Sequence, residues 1–193
     1  MTNTISIIYG STRDGRQGIK AAKFIANKLK ERGHIVHLID PLEYEFPLLR
    51  RKYMYYEKGT APKAVEAVAK FFSESDGFIV VSGEYNHSVP AALKNILDHY
   101  GDEYKYKPSG IVTYSGGPFG GVRAAVHLRA IMGELGTVSI PTMFPISAVQ
   151  STFDDNGNAL DKVYDERING FLDQFEWYLG ALKEARKKGT PKY

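Results

Sequence analysis

Apolar residues recur along this chain in two alternating rhythms. Residues 4–9, TISIIY, are a β-branched run, and beyond a polar, glycine-bearing stretch the apolar positions Ile19, Ala22, Phe24, Ile25 and Leu29 return at helical spacing. That order predicts strand, loop, helix. Gly33 closes the helix and residues 35–39 read as a second short strand. A helix over residues 64–75 follows Pro62, and GFIVVS at 77–82 is the near-continuous apolar run that parallel sheets bury on both faces. Pro90 opens a third helix carrying Ala92, Leu93, Ile96 and Leu97, and residues 109–115 form a fourth strand. A fourth helix over 122–135 places Val122, Ala125, Leu128, Met132 and Leu135 on one stripe and stops at Gly136. Residues 138–146 read as a fifth strand, at an edge because of Pro141 and Pro145. From about residue 160 a long terminal helix ends in a basic run, Arg186 to Lys188, read as a solvated end that complements the helix dipole.

Strands alternating with helices predict an α/β fold, a doubly wound sheet of five parallel strands with helices on both faces. The 193 residues suit a single domain over 1–193. Cysteine is absent, which excludes a disulfide scaffold, a thiolate nucleophile and sulfur-ligated metal sites. His34 and His37 lack a third ligand at metal spacing, so no metal is expected. A net charge of +3 is too small a surplus to argue for nucleic acid, and leaves room for an anionic small ligand. No run of about 18 apolar residues points to a membrane, and the first residues lack a secretory pattern, so a cytoplasmic location is the expectation.

Candidate chemistry gathers after strands one, three and four, in the loops GSTRDGRQG, GEYNHSV and SGGPFGGVR. In the strand order 2-1-3-4-5 these strands are neighbours, and their loops converge on one crevice at the carboxyl ends. The first loop offers Ser11 and Thr12 hydroxyls, the Arg13 and Arg16 guanidiniums, the Gln17 amide and the amides of a helix start, a donor set for phosphate. Gly10 and Gly15 have P-loop spacing, yet Arg16 and Gln17 stand where that motif needs Lys and Ser or Thr. The dinucleotide fingerprint is missing too, and Asp40 reads as a turn residue before Pro41. In the second loop Glu84, Tyr85, Asn86, His87 and Ser88 suit a flat heterocycle, while Ser115 to Gly121 expose backbone for close approach to a ring.

With these motifs the chain resembles the NADPH-dependent FMN reductase family, flavodoxin-like quinone and azo-dye reductases, over residues 4 to about 149. The resemblance rests on Gly10-Ser11-x-Arg13, on Glu84 to Ser88 followed by Pro90-Ala91-Ala92-Leu93-Lys94-Asn95, and on Gly120-Gly121-Val122-Arg123-Ala124. It implies a flavodoxin-like sheet and FMN as cofactor. Ser11, Arg13, Arg16, Gln17 and Gly18 would surround the FMN phosphate, Glu84, Tyr85, Asn86 and His87 the ribityl chain and ring, and Ser115, Gly116, Gly117 and Gly120 the isoalloxazine edge. Gly83 departs from the family's proline, and Arg16 from the serine of many relatives.

The implied activity is hydride transfer from NAD(P)H to FMN and on to a quinone, azo dye, free flavin or similar acceptor in ping-pong order, with no catalytic side chain nominated. The competitors are a flavodoxin-type electron carrier and a flavin-free nucleotide-binding protein. Residues 41–60, with Tyr44, Phe46, Tyr53, Met54, Tyr55 and Tyr56, are expected to form a partner surface and substrate lid in a homodimer or dimer of dimers. Glu176, Trp177 and Tyr178 are assigned to the docking face of the last helix.

Overall fold

A computed structural model describes residues 2–192. Strand β1 (Thr4–Tyr9) leads into α1 (Gly18–Glu31) and β2 (Ile35–Ile39), and α2 (Lys63–Glu74) into β3 (Gly77–Gly83). Then come α3 (Ala91–Asp98), β4 (Pro108–Tyr114), α4 (Val122–Glu134), β5 (Val138–Ile146), the single turn α5 (Val149–Thr152) and α6 (Lys162–Lys187). The sheet order is β2-β1-β3-β4-β5, as the alternating pattern predicts. Every pairing is parallel, with Ile5 opposite both Val36 and Gly77, and Phe78 opposite Ser109.

Alternation along the strands divides the core into two layers. Ile5, Ile7 and Tyr9 of β1 face α1 and α6, meeting Phe24, Phe144 and Phe171, whereas Ile8 faces the opposite layer with Phe72, Phe78, Leu93 and Tyr100. Strands β3 and β4 are buried at every position. The outer strands β2 and β5 are partly open to solvent, and Arg129 donates to the carbonyls of Ile140 and Pro141, where the β5 prolines loosen the ladder. Among the described residues no helix is long and apolar enough to cross a membrane, and no three acidic or histidine side chains gather as a metal site.

Three expectations change on contact with the fold. Val122 is exposed, because α4 turns Ala124 and Ala125 to the core instead. Arg186 is not a solvated end: its guanidinium donates to the Tyr106 carbonyl at 3.0 Å and reaches Asp76, which Lys183 also holds at 2.7 Å. In the 41–60 segment Tyr44, Phe46, Tyr53 and Tyr56 turn inward onto the second core layer, while Met54 and Tyr55 stay exposed. The segment is anchored by Asn95, which accepts from Leu49 N and donates to the Pro47 carbonyl, both at 2.9 Å. On β2 and just before it, His34 accepts from Asn3 N at 3.2 Å and pairs with Glu176, and His37 stacks on Phe71, so both histidines serve packing. Trp177 remains exposed on α6.

Helix α6 lies on the central strands through a close approach. A Cβ at Gly110 in β4 would stand 2.8 Å from the ring tip of Phe171. Gly110→Ala is therefore expected to destabilise the fold by about 1–3 kcal/mol through overpacking. Phe171→Leu in the same chain should recover part of that loss, as urea denaturation midpoints would show.

Candidate functional site

The carboxyl ends of β1, β3 and β4 bring the three loops together around a cleft of about 220 Å³. Its walls are Ser11 to Gly18 without Thr12, then Tyr85, Tyr114, Gly116, Val149 and Gln150.

The first loop closes a turn in which Arg16 N donates to the Arg13 carbonyl at 3.2 Å, with Gly15 in the left-handed region that such a turn requires. Ser11, almost fully buried, shares a 2.8 Å hydrogen bond with the Tyr85 hydroxyl and so ties the first loop to the second. Arg13 lies over the Tyr85 ring, 5.4 Å from its centre, and among the described residues no carboxylate pairs with it. Arg16 behaves differently. Its guanidinium meets both oxygens of Asp40 at 2.5 Å and donates to the Ser11 carbonyl at 2.9 Å. Desolvation works against its charge, yet the Asp40 partner raises the Arg16 pKa overall. Asp40 also accepts from Leu42 N at 3.0 Å, which confirms its turn role and adds a second one.

The cleft floor is aromatic. Tyr114, the last residue of β4, closes on the start of α1, where a Cβ at Gly18 would stand 2.0 Å from its ring. Its hydroxyl approaches that of buried Tyr9 at 3.4 Å. Burial pushes both phenols above their ordinary pKa, so each remains a protonated hydroxyl at neutral pH. No side chain caps α1, and its first turn holds no acidic residue. The helix start therefore keeps its attraction for an anion.

In the second loop Tyr85 and Ser88 exchange two backbone hydrogen bonds of 2.9 Å around Asn86 and His87, which have φ of 49° and 66°. Two consecutive left-handed residues make this a type I′ turn, and it presents both side chains outward. Helix α4 grips the turn at both ends. Glu84 accepts from Arg123 Nε at 2.7 Å and from Arg123 N at 3.0 Å, and His127 Nδ1 lies 2.9 Å from Ser88 Oγ. Burial works to raise the Glu84 pKa, but the Arg123 contacts prevail and hold the carboxyl below its ordinary value. Across the third loop the Ser115 hydroxyl donates to the Gly117 carbonyl at 2.8 Å and accepts from Gly120 N at 2.9 Å. Gly116 and Gly117 are exposed, although their carbonyls accept from Gln150 Nε2 at 3.2 Å and from Ala148 N at 3.1 Å.

The cleft thus unites Ser11, Arg13, Arg16, Gln17, Gly18, Tyr85 and Gly116 among the candidates. Glu84, Asn86, His87, Ser115, Gly117 and Gly120 belong to the second and third loops but lie outside the cleft lining, Gly120 being buried, and Glu84 and Arg16 spend their charge on ion pairs with Arg123 and Asp40. Tyr114, Val149 and Gln150 had no sequence signal: Tyr114 reads as strand interior, and α5 is too short for periodicity. The donor set of hydroxyls, one guanidinium without an acidic partner and an uncapped helix start fits a phosphate monoester, and the exposed glycine backbone fits a flat ring.

A family model described as NADPH-dependent FMN reductase matches residues 3–151. An NADPH:quinone oxidoreductase of Arabidopsis thaliana is 39% identical over 121 residues, covering 59% of this chain and 61% of the relative. The chain therefore spans about three-fifths of that protein's length. A quinone reductase of Escherichia coli (strain K12) is 32% identical over 128 residues, covering 63% and 68%. Among solved structures, the flavoenzyme NAD(P)H:(acceptor) oxidoreductase FerB of Paracoccus denitrificans superposes with a TM-score of 0.74 at 24% identity, covering 93% of this chain and 98% of that one. A flavodoxin of Pseudomonas aeruginosa gives 0.53 at 16% identity, over 95% and 99%; both share the fold.

The Glu84–Arg123 brace has a pH signature. A depressed carboxyl contributes stability above its ordinary value of 4.5 and loses it as pH falls through the lowered one. Wild type should exceed Glu84→Gln by about 1 kcal/mol at pH 7, modest because Arg123 is partly exposed. Urea titrations from pH 7 down to pH 3 should show that margin disappear at the acid end.

Proposed function

This chain belongs to the NADPH-dependent FMN reductase family, and we propose that it binds FMN in the cleft and oxidises NAD(P)H at the expense of a quinone or similar small acceptor. The observation that carries this reading is the convergence of an uncapped helix start, Ser11 and Arg13 beside exposed glycine backbone on one sheet edge. Similarity to reductases named for quinones and NADPH supports the substrate classes.

FMN, when bound, supplies hydride acceptance and donation. The protein's part is to seat and orient it. Ser11, Arg13, Gln17 and the first turn of α1 hold the phosphate, and Arg13 provides the net positive charge. Charge-assisted bonds of this kind contribute about 1.5–3 kcal/mol each. Tyr85, Asn86 and His87 meet the ribityl chain and ring from a turn whose left-handed backbone is already set, so little ordering entropy remains to be lost on binding. Ser115, which holds the loop by accepting from Gly120 N, and the amides of Gly116 and Gly117 would border the ring, where fixed backbone dipoles would favour negative charge. With one cleft shared by the three loops on this sheet edge, NAD(P)H and acceptor would occupy it in turn, which gives ping-pong order. The same reading includes a homodimer, with exposed Leu48, Met54 and Tyr55 on the apolar side of its interface; sedimentation at micromolar concentration should give twice the chain mass.

Titration with FMN, followed by NADPH and a benzoquinone, tests the reading. FMN fluorescence should be quenched at one equivalent, and NADPH absorbance should fall only when FMN is present. Arg13→Ala should weaken FMN binding about 10- to 100-fold and leave riboflavin, which lacks the phosphate, nearly unaffected. Tight FMN binding without NADPH oxidation would favour an electron carrier instead.

A further inference from the structure

We propose that Arg16 is a positioning residue rather than a phosphate ligand: locked by Asp40 at the end of β2, it fixes the shape of the 10–18 loop so that Ser11, Arg13 and the start of α1 converge on a phosphate monoester. The inference rests on the FMN reading and assigns a role within that site.

Three of the five guanidinium N–H groups of Arg16 are engaged, two by Asp40 and one by the Ser11 carbonyl. The cation also lies over the Tyr9 ring, 5.2 Å from its centre. The Asp40 side chain is only 4% exposed and that of Arg16 15%. A phosphate oxygen that drew Arg16 away would strand the Asp40 carboxylate in the interior, a cost that a surface pair would not impose. The same guanidinium grips the backbone of Ser11, whose hydroxyl faces Tyr85 and the cleft. Asp40 therefore acts on the site through Arg16, and Arg16 through Ser11. Arg13, with no acidic partner among the described residues, is left to supply the charge that meets the ligand.

Geometry separates this role from direct ligation. The brace needs the planar fork of arginine, since a lysine ammonium cannot bond two carboxylate oxygens and a carbonyl in this plane. A phosphate ligand would tolerate lysine, which binds phosphate as a point charge.

Fluorescence titration of wild type, Asp40→Asn, Arg16→Gln, Arg16→Lys and the Asp40→Asn/Arg16→Gln double variant, each with FMN and with riboflavin, provides the test. Every single variant is expected to bind FMN about tenfold more weakly, or about 1.4 kcal/mol, with the double variant no worse than either single one, because one opened brace has nothing further to lose. Riboflavin affinity should stay within about twofold across the set, and it also reports that each variant is folded. The proposal is overturned if Asp40→Asn leaves or tightens FMN binding while Arg16→Gln loosens it, or if Arg16→Lys binds as wild type does. Equal loss of riboflavin would overturn it too, by showing damage to the whole fold. Wild type that ignores both flavins would instead bring down the FMN reading itself.

Discussion

A sheet whose central strands leave neither face to solvent must be covered on both sides, and nearly everything else in this molecule follows from that requirement. Strands β1, β3 and β4 are buried along almost their full length, so each must be followed by a helix that crosses to one face or the other. The crossovers leave only the carboxyl ends of those strands open. Three loops with little else in common are thereby delivered to one edge, where Ser11, Tyr85 and Gly116 face a shared cleft.

Loops delivered this way are not yet ordered, and the structure orders them with charge pairs to other parts of the chain. Asp40 holds the first loop through Arg16, and Arg123 holds the second through Glu84. The Ser115 hydroxyl spans the third between Gly117 and Gly120. Each brace joins a loop to itself or to a neighbouring element. What faces the cleft can then be a sparse set of donors, because its geometry is maintained from behind.

The strands and helices were legible because their apolar periods differ and glycine or proline marks nearly every boundary. The cleft was legible for a related reason: adjacency of β1, β3 and β4 makes three separate motifs one place. The roles of Arg16 and Glu84 were not. Their partners lie 24 and 39 positions away, and a charged loop residue carries no local sign of whether it meets solvent, ligand or another side chain. The 41–60 aromatics misled in the same manner. A ring in an irregular segment reads as exposed, yet Tyr44, Phe46, Tyr53 and Tyr56 lean on the core. Arg186 likewise reads as a solvated end, yet Asp76 and the Tyr106 carbonyl lie beside it.

Tyr9 and Tyr114 end strands β1 and β4 and pack in the same core layer, and the ring of Tyr114 occupies the space that a side chain at Gly18 would need. The bottom of the cleft is therefore set by strand ends, and its mouth by turns. Depth and rim belong to separate parts of the polypeptide, so evolution can reshape one while the other stays as it is. A lineage of such proteins could diversify the molecules it accommodates by trading bulk between positions 18 and 114 alone.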